Sequence, residues 1–283
     1  MSDPILSVRN LRVTFPSLAG RIEAVRGVSF DIGNEKVGLI GESGSGKSLT
    51  GRSIMRLLPK AAHPVADRMR FDGKEILSLP EGEMRGMRGG EIAMILQDPK
   101  FSLNPIMSVG DQIAETCRIH LKLSKREARA RTLHLLEQVH INDPARVYPL
   151  FPHEVSGGMG QRIMIAMMIV ARPSLIIADE PTSALDVSVR GQILRILDEL
   201  RAERPTGLLF ITHDLNLVRR FCDRVLIMYS GRIVEELPAS RLDEAEHPYT
   251  RGLLDAIPRL DRPRDRLATL QRDPRWITEE AGR

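Results

Sequence analysis

The chain has 283 residues, of which 42% are hydrophobic and 28% are charged, a composition typical of a globular protein with a core of its own. Its formal net charge is +4, and its aromatic content of 4% is too low for the base-stacking surfaces of single-strand nucleic-acid binders. Two cysteines, Cys117 and Cys222, exclude a disulfide framework and a cysteine-based zinc finger. The longest apolar run, residues 163–171, is far shorter than the ~20 residues that cross a bilayer. Asp3 and Pro4 do not fit a secretory signal, so a cytosolic chain is predicted.

Short apolar segments over the first 40 residues predict strands. A loose apolar alternation runs from Ile5 to Phe15, and a second segment runs from Val25 to Phe30 after a glycine-containing turn. Residues 36–40 (KVGLI) form an apolar run that ends in a glycine cluster, which indicates a buried strand leading into a loop. Beyond Lys47, helical spacing predicts a helix that continues to Pro59. Three apolar residues form its predicted inner side: Ile54, Leu57 and Leu58.

The rest of the chain alternates between short apolar runs and helical patterns. Further buried strands are predicted at residues 92–96, 175–178, 208–211 and 225–228. Strands that are apolar on both faces and alternate with helices indicate a largely parallel sheet covered on both sides. Residues from about 107 to 172 predict almost only helix. Within that segment, one helix face is predicted from four residues: Ala128, Leu133, Leu136 and Val139. An α/β protein with an all-helical insert is therefore expected, and the Arg-rich residues after Pro258 predict a loosely ordered tail.

A phosphate-binding pattern lies between the predicted strand 36–40 and the helix that follows it. Residues 41–48 (GESGSGKS) match G-x-x-x-x-G-K-[ST] in full. Glycines let backbone N–H groups surround a polyphosphate, and the following helix directs its positive end at the same anion. A glycine-rich turn that carries a lysine by chance is the alternative, and the flanking strand and helix disfavour it. The pattern therefore predicts nucleotide binding by eight residues: Gly41, Ser43, Gly44, Ser45, Gly46, Lys47, Ser48 and Leu49.

Two carboxylates, Asp179 and Glu180, follow the apolar run 175–178 directly. At the carboxyl end of a buried parallel strand they would face the same crevice as the phosphate loop. Asp179 is then a candidate for the Mg²⁺ shell, together with the Ser48 hydroxyl. Glu180 is a candidate for polarising the water that attacks the γ-phosphate in line. A strand that simply ends in polar residues is the alternative.

Residues 156–162 (SGGMGQR) precede a predicted helix and resemble the signature loop of ABC transporter ATPases. In that family the loop binds the γ-phosphate held by the opposite subunit. The resemblance therefore assigns three residues to nucleotide binding across a dimer interface: Ser156, Gly157 and Gly158. A serine hydroxyl, glycine N–H groups and a helix N-terminus suit an anion on physical grounds. Gly160 and Val155 depart from the family's pattern, which usually has arginine and leucine there.

Other segments resemble motifs of the same family, in the family's order. Residues 97–99 (QDP) resemble the Q-loop, which senses Mg²⁺ and the attacking water, and residues 183–186 (SALD) resemble the D-loop at the dimer interface. Residues 212–214 (THD) resemble the switch-histidine segment, which implies that His213 contacts the γ-phosphate. Phe15 is placed like the aromatic that stacks on adenine, with an ordinary strand residue as the alternative. By this resemblance the catalytic residues are Lys47, Gln97, Glu180 and His213. The implied Mg²⁺ ligands are Ser48, Gln97 and Asp179, and the resemblance also implies that Asp186 contacts the nucleotide.

Three segments resemble one branch of the family, the dipeptide, oligopeptide and nickel importer ATPases: residues 101–105 (FSLNP), 179–187 (DEPTSALDV) and 247–250 (HPYT). The resemblance implies a P-loop NTPase core with an N-terminal antiparallel β subdomain and an all-helical signature subdomain. The implied nucleotide-binding domain spans residues 1–245, with the helical subdomain at about 100–172, and residues 246–283 form a C-terminal extension.

The resemblance also implies a head-to-tail dimer with a second ABC ATPase subunit, either a paralogue or a second copy of this chain. Two permease subunits, contacted around residues 101–106, and an extracytoplasmic solute-binding protein complete the implied assembly on the cytoplasmic face of the cell membrane. ATP closes the dimer and hydrolysis reopens it. ATP and Mg²⁺ are the expected ligands, and no iron–sulfur cluster is expected because no residue after Cys222 could ligate one.

Several functions stay open at this stage. The transported solute is undefined, and a peptide, a nickel chelate, an opine or another small solute is compatible with the sequence. An ABC exporter ATPase uses the same catalytic residues. A soluble ABC ATPase acting on nucleic acid usually has two nucleotide-binding units or a long coiled coil, so no nucleic-acid partner is expected. A P-loop kinase would leave residues 156–162 unexplained.

Overall fold

The computed structural model describes residues 3–18, 20–98, 102–183, 185, 187–257, 273 and 276. In chain order the strands are β1 (Leu6–Ser17), β2 (Gly20–Ile32), β3 (Lys36–Ile40), β4 (His63–Val65), β5 (Arg68–Phe71), β6 (Lys74–Glu75), β7 (Ile92–Ile95), β8 (Leu175–Asp179), β9 (Gly207–Thr212), β10 (Arg224–Tyr229) and β11 (Arg232–Pro238). The α-helices are α1 (Lys47–Ile54), α2 (Glu81–Met87), α3 (Val109–Leu121), α4 (Lys125–Gln138), α5 (Pro144–Val147), α6 (Gly157–Met168), α7 (Val187–Glu203), α8 (Leu215–Phe221) and α9 (Pro248–Asp255). Short 3₁₀ segments lie at Pro152–Glu154 and Ala239–Glu244.

The chain folds into two compact units. The first unit takes residues 1–77 and 209–283, and the second takes residues 78–208. The division falls inside residues 1–245, for which the sequence predicts one nucleotide-binding domain. The boundary between this domain and the C-terminal extension at residues 246–283 stays a prediction. Within the described part of the chain, no helix combines the length and the apolar character that a membrane span requires.

An antiparallel sheet forms the N-terminal part of the first unit. Its strand order is β2-β1-β5-β6, and β4 also pairs with β1. The inward residues of β1 alternate at Leu6 and Val8 and again at Leu11 and Val13, all fully buried. Between these pairs the register with β2 shifts, and Asn10 adopts a left-handed φ of 51°. This bulge explains the loose apolar alternation. The strands have 12 and 13 residues, which is longer than the short strands predicted.

A second sheet in the first unit places β3 between β10 and β9, with β11 beyond β10. β3 is parallel to β10, and four of its five residues are buried, which confirms the predicted buried strand. Helix α8 packs closely on β3, because a Cβ at Gly38 would lie 2.6 Å from the Cγ1 atom of Val218. The carboxyl end of this covered strand leads directly into residues 41–46.

Helix α1 is shorter than predicted. It ends at Ile54, and Arg56 then takes a left-handed φ of 51°, so the helix stops before Pro59 is reached. Ile54 is fully buried as expected, but Leu57 is 48% exposed and lies outside the helix. The prediction that Leu57 and Leu58 continue the inner face of this helix is therefore wrong. The left-handed residue, rather than the proline, ends the helix.

The second unit combines a parallel strand pair with a set of helices. β7 and β8 pair in parallel, with Ile95 opposite Ala178, and every residue of both strands is buried. Helices α3 to α6 occupy residues 109–168 with short connections, which confirms the predicted all-helical segment. Residues 258–272, where the tail is predicted, lie outside the described residues.

The buried face of α4 differs in part from the predicted one. Ala128, Leu136 and Val139 are buried as expected, but Leu133 is only partly buried. Thr132 and Leu135 take its place in the core. Burial of the polar Thr132 is possible because its hydroxyl donates a hydrogen bond to the Ala128 carbonyl at 2.8 Å. The buried face of α4 therefore consists of Ala128 and the residues four, seven and eight positions after it, which are Thr132, Leu135 and Leu136.

Tyr148, which directly follows α5, joins the end of that helix to the first turn of α3. Its hydroxyl donates to Asp111 Oδ1 at 3.0 Å, its carbonyl accepts from the Gly110 N–H at 3.0 Å, and the Arg129 guanidinium lies 4.3 Å from its ring centroid. Burial, with the neighbouring Asp111 carboxylate, raises the pKa of Tyr148 to about 12. A Cβ at Gly110 would lie 2.3 Å from Tyr148 Cγ, so the glycine is required by close packing.

We expect Gly110→Ala to lower the free energy of unfolding by about 1–3 kcal/mol, because the added methyl group has no room beside the Tyr148 ring. The matched control is Gly82→Ala in α2, where a Cβ would meet no atom within 4 Å. That change should leave stability unchanged or raise it by up to ~1 kcal/mol through helix propensity. Urea unfolding of the two full-length variants, followed by circular dichroism, measures both values. Equal stability of the two variants would contradict the packing argument.

Candidate functional site

The predicted nucleotide-binding residues 41–49 form the connection between β3 and α1 in the first unit. Gly44 and Gly46 have left-handed φ values of 81° and 102°, which glycine adopts without a steric penalty. Gly41 and Gly46 also lie against neighbouring backbone. A Cβ on Gly41 would lie 2.1 Å from the carbonyl oxygen of Met228, and a Cβ on Gly46 would lie 2.8 Å from that of Ala24. The two glycines are therefore required by the close approach of β10 and β2.

Lys47 is the first residue of α1 and is only 5% exposed. Its Nζ donates to the carbonyl oxygens of Gly41 and Glu42, both at 2.8 Å. The ammonium is therefore held over the start of the loop, beside the positive end of the helix dipole. Two sources of positive potential thus act at the same place, as the binding of a polyphosphate requires.

Ser45 supplies a further donor inside the loop. Its carbonyl oxygen accepts from the Gly231 N–H at 2.9 Å, which fixes the loop against the turn after β10. Its Oγ is buried and has no hydrogen-bond partner among the described residues. A buried hydroxyl without a partner costs free energy, and an oxygen of a bound phosphate would remove that cost. This observation fits a phosphate ligand.

The remaining predicted residues of the loop differ in exposure. Ser43 and Gly44 are exposed at its tip, and Ser48 and Leu49 are partly buried in the first turn of α1. Thr50, one turn further along, donates from Oγ1 to the Gly46 carbonyl at 3.0 Å. The predicted contacts thus form one continuous segment, with donors at its tip open to solvent.

His213 also belongs to the first unit. It follows β9, the neighbour of β3 in the sheet, and its side chain is exposed. The next residue, Asp214, is the N-cap of α8, because Asp214 Oδ1 accepts from the Leu217 N–H at 3.0 Å. The cap and the strand hold His213 at a defined point between them.

Phe15 lies on β1, paired opposite Ile22 of β2, and is partly buried. Ile22 itself is 57% exposed, so this end of the hairpin offers apolar surface to solvent. Such a surface is compatible with stacking on a base and also with an ordinary strand position. The stacking role of Phe15 stays a prediction.

The two predicted carboxylates, Asp179 for Mg²⁺ and Glu180 for catalysis, lie in the second unit, at the end of β8. Asp179 is the last residue of the strand and is 4% exposed, and Glu180 follows it, partly exposed. Gln97 lies two residues beyond Ile95 on β7, as Glu180 lies two residues beyond Ala178 on β8. Because the two strands are parallel and in register, Gln97 and Glu180 emerge from the same edge of the pair.

Glu180 has an uncommon backbone conformation. Its φ of 48° is left-handed, which costs free energy for a residue with a long side chain. The turn is held by Ser183, whose N–H and hydroxyl both donate to the Glu180 carbonyl, at 3.3 and 3.2 Å. A strained residue retained at the end of a strand is typical of functional sites.

The signature-like segment begins α6 in the second unit. Ser156 is the N-cap of this helix, and its Oγ accepts from the Met159 N–H at 3.3 Å. Ser156 and Gly157 are exposed, and a Cβ on Gly157 would meet no atom within 4 Å. Gly160 is buried in the helix. The helix end therefore presents N–H groups and a positive dipole to solvent, as an anion site requires.

Two predicted contacts cannot be placed. Asp186 of the D-loop segment and Phe101 of the segment after Gln97 lie outside the described residues. Among the described residues, no group of three or more His, Cys, Asp or Glu side chains is arranged to hold a metal ion.

One neighbour of the phosphate loop was not predicted. Tyr249, in α9, has its Oη 3.1 Å from the backbone nitrogen of Glu42, which donates to it. The sequence carries a signal for this residue in the HPYT segment, but that segment was interpreted only as a mark of one branch of the family.

Comparison with known proteins agrees with these features. The profile of the ABC transporter family matches residues 25–183, and that of the oligopeptide/dipeptide transporter C-terminal region matches residues 234–282. The chain is 46% identical to the dipeptide transport ATP-binding protein DppD of Bacillus subtilis, over 92% of this chain and 78% of that one. It is 44% identical to the oligopeptide transport ATP-binding protein OppD of Escherichia coli, over 96% of this chain and 81% of that one.

Solved structures resemble it as well. A dimeric, post-hydrolysis structure of the ATP-binding cassette MJ0796, bound to ADP and Pi, has a TM-score of 0.75 and 27% identity, and the match covers 83% of this chain and 98% of that one. The predicted P-loop NTPase fold of the ABC ATPase type is thereby confirmed. The chain therefore belongs to the ABC transporter family, in which it is an ATP-hydrolysing subunit.

Proposed function

We propose that this chain energises the uptake of peptides as the ATP-binding subunit of an ABC importer. The observation that carries the proposal is the presence, in one chain, of a formed phosphate loop and of the C-terminal region shared by oligopeptide and dipeptide transporters. The relatives DppD and OppD carry names of dipeptide and oligopeptide transport proteins. These names support uptake as the direction of transport, and a peripheral position at the cytoplasmic face of the cell membrane is part of the proposal.

ATP binding rests on the phosphate loop of the first unit. We expect the loop N–H groups, the Ser45 hydroxyl and the Lys47 ammonium to contact the phosphates. By the family's motifs, Ser48, Gln97 and Asp179 would hold Mg²⁺, and each of these side chains supplies an oxygen atom of the kind that this ion prefers. When bound, the ion neutralises charge on the phosphate oxygens.

Hydrolysis is assigned to three of the predicted side chains. Glu180 accepts a proton from the attacking water through its carboxylate, and the Gln97 amide orients that water. His213 donates a hydrogen bond to an oxygen of the γ-phosphate and so holds this group in line with the attacking water, while the bonding electron pair leaves with the oxygen of ADP. These assignments follow the family's motifs at the positions where they occur in this chain.

Dimer closure rests on the start of α6. Its exposed Ser156 and Gly157 would bind the γ-phosphate of ATP held by a second ABC ATPase subunit, arranged head to tail, and that subunit is either a paralogue or a second copy of this chain. The dimeric state of the MJ0796 cassette supports this arrangement. Because the γ-phosphate is the group shared by the two subunits, its hydrolysis removes the contact that keeps them closed.

Two permease subunits and an extracytoplasmic solute-binding protein complete the proposed importer. Residues 102–106, the described part of the predicted permease contact at residues 101–106, form a loop. Gln112 holds it, since Gln112 Oε1 accepts from the Asn104 N–H at 2.8 Å and Gln112 Nε2 donates to the carbonyls of Asn104 and Met107 at 3.0 and 3.1 Å. Ile106 is 82% exposed at the tip of this fixed loop, as a residue buried only in the assembly would be.

We expect Ile106→Asp to abolish most of the stimulation of hydrolysis by substrate-loaded binding protein, while the basal ATPase rate of the isolated chain stays unchanged. A charge in the centre of an apolar contact weakens it by an amount typical of interface hot spots. The matched control is Ile119→Asp on α3, where the isoleucine is 55% exposed outside the proposed contact. Full stimulation of the Ile106→Asp assembly, or equal loss in both variants, would argue against this contact.

Reconstitution in proteoliposomes tests the proposed function. The chain is assembled with its permease subunits, the second ATPase and the solute-binding protein, and ATP hydrolysis is measured with di- to pentapeptides, a nickel chelate and an opine. Stimulation by peptide that requires the binding protein is the expected result. Stimulation only by the nickel chelate or the opine would show that this solute, and not a peptide, is the substrate. Solute extrusion independent of the binding protein would favour an exporter. Stimulation by DNA or RNA without the permease would overturn the proposal.

A further inference from the structure

An aromatic cluster lies directly behind the phosphate loop in the first unit. Tyr249 is fully buried, and its ring centroid lies 4.4 Å from that of Tyr229, the last residue of β10. The Trp276 ring packs edge-on to both tyrosines, at 6.0 and 6.3 Å, and lies 6.2 Å from the His247 ring. The cluster brings the C-terminal segment, 207 positions away in sequence, into contact with residue 42.

The hydroxyl of Tyr249 lies on one side of a peptide group whose other side is held by Lys47. The Glu42 N–H donates to Tyr249 Oη at 3.1 Å, and the Gly41 carbonyl of the same peptide group accepts from Lys47 Nζ at 2.8 Å. A peptide group is planar and rigid, so fixing its N–H also fixes the direction of its carbonyl. Tyr249 therefore acts on the position of the Lys47 ammonium through one peptide plane.

The residues before Tyr249 explain how its ring is placed. His247 is the N-cap of α9, and its Nδ1 accepts from the Tyr249 N–H at 3.1 Å. Pro248 occupies the first helical position, where its lack of an N–H costs nothing. Glu235 Oε1 accepts from the N–H groups of Glu246 and His247, at 2.6 and 3.2 Å, which ties the start of the helix to β11. The His-Pro-Tyr sequence is thus a helix start that directs a tyrosine at the phosphate loop.

We infer that Tyr249 is a positioning residue for ATP binding, through which the C-terminal segment sets the geometry of the phosphate loop. The inference rests on the proposed nucleotide site at residues 41–48. Tyr249 does not touch the phosphates, and it acts by holding the Gly41–Glu42 peptide group and, through it, Lys47. Because this hydrogen bond is already formed and the buried ring is fixed by its aromatic neighbours, this contact adds no ordering cost when ATP binds.

Tyr249→Phe tests the inference because it keeps the ring in the cluster and removes the hydroxyl, which accepts from the Glu42 N–H. Loss of one net hydrogen bond to the loop should lower ATP affinity about 3- to 10-fold, with kcat at saturating ATP changed less than about 2-fold. The matched control is Tyr229→Phe, which removes a hydroxyl from the same cluster but leaves the bond to Glu42 in place. ATP affinity by isothermal titration calorimetry, KM and kcat of the assembled importer, and the melting temperature of both variants are measured.

An ATP affinity of Tyr249→Phe equal to that of the unmodified chain would overturn the inference, as would an equal loss in both tyrosine variants. Amide hydrogen exchange gives a second readout, since exchange of the Glu42 amide should become faster in Tyr249→Phe and not in Tyr229→Phe. Lys47→Ala separates this inference from the proposed function. If Lys47→Ala loses ATP binding while Tyr249→Phe does not, only the positioning role fails. If Lys47→Ala binds ATP normally, the proposed nucleotide site itself fails.

Discussion

Glu180→Gln is expected to bind ATP as the unmodified chain does and to hydrolyse it about 10²- to 10⁴-fold more slowly, the range that a lost general base produces. Glutamine has the shape of glutamate, so the left-handed backbone at this position, with φ of 48°, carries the same cost in both. The phosphate loop lies elsewhere in the chain and is unchanged. The variant therefore separates binding from hydrolysis, measured by calorimetry with ATP and by phosphate release under steady state.

A second consequence concerns the assembly. Because the γ-phosphate is not removed, Glu180→Gln should accumulate as a closed dimer in Mg-ATP, visible by analytical ultracentrifugation, and should open when ATP is replaced by ADP. Glu115→Gln is the matched control, since it makes the same chemical change at an exposed position of α3. A normal hydrolysis rate of Glu180→Gln would remove Glu180 from the role of base, and a monomer in saturating Mg-ATP would contradict closure by the γ-phosphate.

Lys47→Ala is expected to lower the hydrolysis rate about 10²- to 10³-fold, as the loss of one positioned donor at a developing charge does. ATP affinity should fall at the same time, because the ammonium provides a charge-assisted contact to the phosphates before hydrolysis begins. The substitution also removes the two hydrogen bonds from Nζ to the carbonyls of Gly41 and Glu42, so part of the lost affinity comes from a less ordered loop.

Lys47→Arg separates the contribution of the positive charge from that of the hydrogen-bond geometry, since it keeps the charge and changes the positions of the donors. We expect it to bind ATP more tightly than Lys47→Ala and to hydrolyse it slowly. Lys60→Ala is the control for loss of a positive charge, because Lys60 is exposed in the connection that follows α1. Equal ATP binding by Lys47→Ala and Lys60→Ala would show that residues 41–48 do not form the nucleotide site.

The phosphate loop was predictable because its chemistry is local. Residues 41–48 need backbone N–H groups, glycine φ values and a lysine at fixed spacing, and all of these are encoded in eight consecutive positions. The carboxylates at the end of β8 and the serine cap of α6 were predictable for the same reason, since each lies at the end of an element whose periodicity is visible in the sequence. Boundaries were less accurate. The left-handed conformation of Arg56, which ends α1 before Pro59, has no strong signal in its residue type.

By itself, the sequence determined the buried strands of the α/β core, the helical segment, the phosphate-binding loop and the family, because these depend on short-range patterns of hydrophobicity and on contiguous motifs. Only the tertiary structure decided that Gly41 lies against the carbonyl of Met228, that Asn10 shifts the register of β1, and that Tyr249 holds the Glu42 N–H. Each of these contacts joins residues far apart in the chain or depends on strand pairing. A single sequence carries no periodicity that specifies which distant backbone will lie beside which, and that choice is made when the strands pair and the core packs.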